Sequence, residues 1–348
     1  MINKLRLSNF RNFTDSTFEF SNKITVIVGP NASGKTNLLE SIYLLSTGKS
    51  FKADESSEMI NYESDLARVK GKVPGEVLEV VLTRGEIKVG EEKIEKTPKK
   101  KLLVNNISKR MIDFSGILKS VLFAPHDLDL VTESPSVRRK FLDAVLSQVD
   151  REYHRALLSY EKGLRQRNRL LYAIREAGSP RSQLIFWDQL LIKNGDYISN
   201  KREEFINFVN NTEALNTQKF NLIYDKSVIS EGRLKQYEHE EVAAATTLVG
   251  PHRDDFSFML KARDLSKFGS RGEQRMGVLW LKLAELEFIK KTDPPANGPT
   301  LLLDDIFSEL DEEHREIVYE VSKNQQTIIT TADPNFILDT DELTRINF

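Results

Sequence analysis

An α/β fold, interrupted in sequence by a mostly helical insertion, is what this chain predicts, and three observations carry the prediction. Gly29, Pro30, Asn31, Ala32, Ser33, Gly34, Lys35 and Thr36 follow the apolar stretch Ile24 to Val28 and open a helical apolar pattern, the strand-to-helix setting of a phosphate-binding loop. A second apolar stretch, residues 300–305, ends in the paired carboxylates Asp304 and Asp305. Between these two, helical periodicity dominates from Ser134 to about Asn211.

The elements follow in order. Ile2, Leu5 and Leu7, then Phe18 and Phe20, then the run Ile24 to Val28 read as three strands leading into the loop. The helix after it carries Leu38, Leu39, Ile42, Tyr43 and Leu45 on one stripe. From Ala67 to Val104 the text is strand-like, with Val77, Leu78, Val80 and Leu82, then Ile87 and Val89, then Leu102 to Val104. Gly85, Gly90 and a Lys-Glu-rich stretch separate these, which predicts a small antiparallel sheet with an exposed tip at residues 91–101. Ser134 before Pro135 is a helix start, the serine as N-cap and the proline at the first helical position. Leu157, Leu164 and Leu171 recur every seven residues with Tyr160 and Ile174 in support, predicting a short helical hairpin that turns at Gly178, Ser179 and Pro180 and returns over residues 186–211. Phe220, Leu222 and Tyr224 alternate as a strand, and residues 327–331 form another. Strands separated by helices predict a doubly wound or mixed sheet whose active edge lies at the strand C-termini, with the loop and Asp304 on that edge. The expected division is residues 1–118 plus 246–348 as one lobe and 119–245 as a mostly helical second lobe.

The chemistry follows from the residue types. Consecutive backbone N–H groups curling into a helix N-terminus supply many donors in a small space, which is what a triphosphate requires. Gly29 and Gly34 let the backbone come close; Lys35 reaches phosphate as a point charge, and the Thr36 hydroxyl is the right length to complete a Mg²⁺ shell. Asp304 can hold the same ion, directly or through water, while Asp305 can orient or deprotonate an attacking water. ATP with Mg²⁺ is therefore the expected cofactor, with Lys35 and Asp305 as catalytic residues and Thr36 and Asp304 as metal ligands.

Composition narrows the setting. With 348 residues, 39% of them hydrophobic and 29% charged, the chain can bury a sizeable core. Fifty Lys plus Arg against 52 Asp plus Glu give a net charge of −2, so nucleic-acid binding must come from local basic faces and not from a global field. The absence of cysteine removes disulfides, thiolate metal sites and cysteine nucleophiles together. The start lacks an apolar core with a small-residue cleavage site, and nowhere do eighteen uncharged apolar residues run together; the expectation is a cytoplasmic protein with no membrane partner.

Several ordered blocks then resemble the RecF family, within the ATP-binding-cassette heads of the chromosome-maintenance and repair branch. They are residues 5–12, 34–43 running on to 47–51, 122–128, 134–143, 250–255 (Gly-Pro-His-Arg-Asp-Asp), 270–274 and 303–311. The resemblance spans nearly the whole chain. It implies an ABC ATPase head of the P-loop NTPase class, with Ser270 and Gly272 in a signature loop that covers the γ-phosphate bound by a second subunit. A head-to-tail pair with two ATP molecules between its members follows from that. The resemblance also makes Arg11 and Asn12 a nucleotide-contacting turn and residues 308–311 a dimer-facing loop. Departures from the family pattern are Glu273 in place of a glutamine, which either points elsewhere or weakens the sandwich, and His126 in place of an acid. No histidine follows the strand at 327–331, leaving Thr330 or Thr331 to sense the γ-phosphate. Asp305 stands, as the resemblance to the RecF family implies, where most other cassettes have a glutamate, and its shorter reach implies slow turnover.

Basic clusters occur at Lys99, Lys100 and Lys101, at Arg138, Arg139 and Lys140, and along Arg165, Arg167 and Arg169. Without base-reading motifs or aromatic platforms, contact with DNA is expected through backbone and shape. The function that the resemblance implies is an ATP-gated DNA-binding dimer of recombinational repair and replication-gap maintenance. It would bind single-stranded and gapped or junction-containing DNA and help place recombinase, with RecR- and RecO-like partners and slow, DNA-stimulated hydrolysis. The alternative is the motor subunit of a membrane transporter, which would need surfaces for transmembrane domains and a γ-phosphate-sensing histidine.

Overall fold

A computed structural model of the chain describes residues 1–89, 93–215, 218–292, 298–333 and 343–348. The chain divides into two compact units, Met1–Asp127 with Ile289–Phe348, and Leu128–Phe288. The return to the first unit therefore falls inside the helix Arg271–Thr292, later than residue 246, where the sequence places it. The reason is pairing: Asp255–Leu260 runs antiparallel to Phe220–Asp225 and so belongs with the insertion.

The first unit holds two sheets with the loop helix Lys35–Thr47 packed on both. One is parallel, in the order Ser120–Phe123, Thr300–Asp304, Thr327–Thr331, Ile24–Val28, Leu343–Asn347. Its central strands are fully buried, so they read as continuous apolar runs, as parallel strands covered on both faces do. The other is antiparallel, in the order Phe13–Glu19, Lys4–Phe10, Leu66–Val73, Glu76–Thr83, Lys100–Val104, Ile107–Lys109. It is larger than the expected sheet because the N-terminal hairpin joins it through the pairing of Lys4–Phe10 with Leu66–Val73. Leu38, Leu39, Ile42, Leu44 and Leu45 fill the space between helix and sheets with no exposed surface, each contributing roughly 2 kcal/mol of apolar burial. Of the expected tip at 91–101, residues 91 and 92 lie outside the described residues, while Lys100 and Lys101 belong to a strand of the antiparallel sheet. Among the described residues no helix is long and apolar enough to cross a membrane.

The second unit contains the helical hairpin, Arg151–Ala177 and Ile185–Asn210, preceded by Pro135–Val149. Gly178 ends the first hairpin helix in the left-handed conformation at φ 63°, where a side chain would be strained. A buried ionic network ties this unit together. Arg202 donates to Asp254 and Asp143 (both 2.9 Å) and to the Pro251 carbonyl (2.7 Å), and Arg138 forks onto Asp255 at 2.6 and 3.0 Å. Asp254 also accepts from the Ser227 N–H and the Tyr224 hydroxyl, so its burial is compensated on several sides. Arg167 is likewise buried against Asp188 and Glu241.

His252, in the Gly-Pro-His-Arg-Asp-Asp block, sits within 2.8 Å of the Tyr160 hydroxyl through Nδ1 and 3.0 Å of the Thr247 carbonyl through Nε2. A carbonyl only accepts, so Nε2 carries the hydrogen and Nδ1 accepts from the tyrosine; the ring is a satisfied neutral strut. Burial pushes its pKa down from 6.5 to about 4. Between those values the unfolded chain holds a proton that the folded one refuses, so this stability is complete above pH 6.5 and is lost as pH falls toward 4. Lowering the pH from 7 to 5 is expected to cost the wild type about 2 kcal/mol more than it costs His252→Gln. Denaturant unfolding of the two full chains at both pH values checks this, and equal pH dependence would refute it.

Candidate nucleotide site

Parallel registry brings the site together. Asp304 lies beside Thr330 and Thr331 beside Val28, so the two acids, the threonines and the loop start share the C-terminal edge of one sheet. Gly34, at φ 108°, turns the chain into the helix Lys35–Thr47, whose first turn has neither a side-chain cap nor an acidic residue. Its leading N–H groups and the positive end of its dipole therefore have no cap supplied by the helix itself. Ala32 is also left-handed, at φ 66°. A Cβ on Gly29 would come within 2.8 Å of Phe348 and 2.9 Å of Ser33 Oγ, and one on Gly34 within 2.5 Å of the Asn12 amide. Both glycines are thus required by close approach.

The Lys35 ammonium folds over the loop and donates to the carbonyls of Gly29 and Pro30 at 2.8 and 2.9 Å. That fixes the charge at the centre of the curl with one of its three donors unspent. Ser33 Oγ is buried there with no hydrogen-bond partner. An orphaned hydroxyl, a centred ammonium and uncapped helix N–H groups together fit an anion of several oxygens.

Asp304, 6% exposed, accepts from Thr36 Oγ1 at 3.0 Å and from Thr330 Oγ1 at 2.8 Å, both on Oδ1. It forms no ion pair among the described residues. A carboxylate and a hydroxyl side by side are hard oxygen donors of the kind Mg²⁺ takes, the remaining positions falling to water and phosphate. Asp305 follows in the left-handed conformation, φ 51°, held by its N–H to the Thr330 carbonyl and hydroxyl, each at 3.1 Å. Burial raises its pKa, opposed by the Lys35 charge, and a raised carboxylate is the better proton acceptor near neutrality.

Arg11 and Asn12 reach the loop as braces. Asn12 donates to the Ser33 carbonyl at 3.1 Å and accepts from Asn37 at 2.9 Å. Arg11 forks onto Glu40 at 2.6 and 2.8 Å and reaches the Glu58 carbonyl, so its guanidinium is committed to the protein. Glu40, fully buried and also bonded by Ser50, escapes a reading based on motifs alone. Its signal is a lone acid among the apolar positions Leu38, Leu39 and Ile42. The hydroxyls of Thr330 and Thr331 are both engaged, the latter with Asp333, so neither points to γ-phosphate sensing. His126 stacks on Phe51 with centroids 5.4 Å apart.

In the second unit, Ser270 Oγ accepts from the Glu273 N–H at 3.2 Å while the Glu273 carboxylate accepts from the Ser270 N–H at 2.8 Å, a reciprocal capping box. Glu273 therefore points back at its own helix end, 3.4 Å from Arg263, and these contacts, the Ser270 N–H first, lower its pKa. The Ser270 hydroxyl hydrogen remains available, and a Cβ on Gly272 would meet nothing nearer than 4.0 Å. Of the basic clusters, Arg138 and Arg167 are buried in ion pairs, Arg139 donates to the Asp254 carbonyl, and Lys100 to the Gly48 carbonyl. These cations are structural, which sequence runs cannot reveal because burial depends on distant acids.

Comparison with known proteins agrees with this geometry. The family model of the RecF/RecN/SMC N terminal domain matches residues 1–348. The DNA replication and repair protein RecF of Lachnoclostridium phytofermentans is 34% identical over 358 residues, covering 99% of this chain and 97% of that protein. Its namesake in Herpetosiphon aurantiacus is 35% identical over 392 residues, with the same 99% and 97% coverage. Among solved structures, the recombination mediator protein RecF-ATP of the RecFOR pathway matches with a TM-score of 0.87 at 30% identity, over 97% of this chain and 93% of that one. An Smc head bound to the C-winged helix domain of ScpA shares the fold at a TM-score of 0.50 and 16% identity, covering 96% and 90%.

Thr330 is the testable joint of the site. Thr330→Val removes the hydroxyl that orients Asp304 and supports Asp305, and is expected to raise the Mg²⁺ concentration needed for half-maximal binding of a fluorescent ATP analogue about tenfold. Thr330→Ser restores it. Unchanged Mg²⁺ dependence in the valine variant would show that the hydroxyl does not position the carboxylate.

Proposed function

The chain belongs to the RecF family of RecF/RecN/SMC N-terminal domains, and from that premise we propose that it is an ATP-driven, DNA-binding dimer of recombinational repair. The observation that carries the reading is the joined set Lys35, Thr36, Asp304 and Asp305 on one sheet edge, at the start of a helix whose own first turn has no acidic residue. Residues 29–36 hold the triphosphate, with Thr36 and Asp304 for Mg²⁺. The ion supplies charge neutralisation between phosphate oxygens. Asp305 orients water or takes its proton, and its short reach keeps turnover slow, so hydrolysis acts as a timer.

Closure requires a second copy. Ser270 donates its hydroxyl hydrogen, and the helix beginning at Arg271 offers its N-terminus, to the γ-phosphate held by the partner. Glu273 keeps the loop ordered through its cap while adding a negative charge beside the incoming phosphate, so this chain closes less readily than one with glutamine there. On gapped or junction DNA the closed pair places recombinase with RecR- and RecO-like proteins, in the cytoplasm. The transporter reading gains nothing from the relatives or the geometry, since the strand end at Thr331 offers no sensing histidine.

Light scattering coupled to gel filtration, with and without ATP and Mg²⁺, tests the core of this. A shift to dimer is expected in the wild type, loss of it in Lys35→Met and Ser270→Arg, and a several-fold lower ATP requirement in Glu273→Gln, which retains an oxygen for the Ser270 N–H. A wild type that stays monomeric at saturating ATP refutes the sandwich. DNA binding at two salt concentrations with and without ATP tests the coupling, which fails if nucleotide has no effect.

A further inference from the structure

The helix Arg151–Ala177 carries, on the face away from its core, a stripe that the loss of Arg138, Arg139 and Arg167 to internal contacts leaves as the chief basic feature of the hairpin. Arg155, Leu158, Lys162, Arg165, Arg169 and Tyr172 follow one another at alternating steps of three and four, and all are exposed. They share the seven-residue register of the buried Leu157 and Leu171, displaced by one position, so the same periodicity that packs the hairpin also lines up its outer face.

We infer that this stripe is a track for the phosphate backbone of DNA, ending in a stacking platform at Tyr172; the inference rests on the DNA-binding reading above. Three observations support it. Lys162, Arg165 and Arg169 form no ion pair among the described residues, while Arg155, at the start of the stripe, pairs with Glu152 at 2.8 Å and Glu161 flanks Lys162. The three central cations are thus left without an acidic partner, unlike Lys201 of the return helix, which meets Glu204 at 2.7 Å. The stripe from Arg155 to Tyr172 is about 26 Å long at 1.5 Å per residue, the axial length of about seven base pairs. Tyr172 is 55% exposed with Arg175 5.3 Å from its ring centre, and Phe186, near the same end of the hairpin, is 62% exposed. Exposed aromatic faces beside cations suit unpaired bases, which stack without regard to sequence. A chain of net charge −2 has no general attraction for DNA, so such a track must supply it locally.

The test uses fluorescence anisotropy of the full chain with ATP and Mg²⁺ on two labelled probes, a blunt duplex and a duplex with a single-stranded tail, across a salt series. The triple variant Lys162→Ala, Arg165→Ala, Arg169→Ala is expected to flatten the slope of log affinity against log salt by about 2 to 3 on duplex, and to weaken binding by at least a hundredfold at low salt. Tyr172→Ala is expected to weaken the tailed probe about tenfold while leaving the blunt duplex within twofold. Melting temperature and ATP-dependent dimerisation confirm that each variant is folded. A folded triple variant with wild-type affinity and slope overturns the track and leaves the function intact. A wild type that binds neither probe overturns both. Wild-type DNA binding in the triple variant, with loss of an acidic protein partner, assigns the stripe to protein and overturns it for DNA.

Discussion

One carboxylate oxygen organises the C-terminal edge of the parallel sheet. Asp304 Oδ1 takes hydrogen bonds from Thr36, in the first turn after the loop, and from Thr330, on the neighbouring strand. Three segments separated by up to 294 positions in sequence, 36, 304 and 330, meet on a single atom. The carboxylate is buried without a cation, so these two hydroxyls are what make its charge tolerable. That atom ties the first turn of the loop helix to the two neighbouring strands Thr300–Asp304 and Thr327–Thr331. Thr330 contributes twice, donating to Asp304 and accepting from the Asp305 N–H, so the two acids cannot move independently.

The second unit relies on a different device. Where the first is held by apolar packing of a helix on two sheets, the second places Arg202 at its centre, 2% exposed, and surrounds it with Asp143, Asp254 and the Pro251 carbonyl. A buried pair of this kind contributes less to stability than to uniqueness, because any misfit strands a charge. Asp254 makes the point: it draws in the hairpin through Ser199 and Arg202 and the strand Phe220–Asp225 through Tyr224. The Gly-Pro-His-Arg-Asp-Asp block is therefore an architectural keystone of the insertion.

Legibility in the sequence tracked how local each signal was. The phosphate loop, the Asp304 strand and the hairpin with its turn at Gly178 announce themselves in contiguous residues, and the structure forms each of them. The strand Leu343–Asn347 does not, because a parallel edge strand with Thr344, Arg345 and Asn347 among its five residues lacks the apolar run of its neighbours. The lobe boundary escaped for the same reason as the fate of the basic runs: which strand Asp255–Leu260 pairs with, and which acids Arg138 and Arg167 find, are decided by partners as far away as 117 positions. Arg11 illustrates the limit of motif transfer. A motif says that the arginine sits at the loop; only the buried Glu40 shows that its guanidinium serves as a brace.

Glu273 shows how a local rule and a functional one can pull against each other. As the third residue of a capping box it is the choice that helix energetics would make, closing the Ser270 N–H and lying at the positive end of a helix dipole. As a charge beside a loop that must receive a phosphate in the proposed dimer, it is the wrong sign. Both effects act at one helix end, so in the proposed dimer order in the open state would be gained at the cost of affinity in the closed one, with the balance further toward open than glutamine would set it. In the proposed cycle, slow hydrolysis at Asp305 would have the opposite effect, prolonging the closed state once reached. A switch with a hesitant closing step and a slow release discriminates by what else stabilises closure, and the proposed track on the hairpin would make DNA the ligand able to tip it.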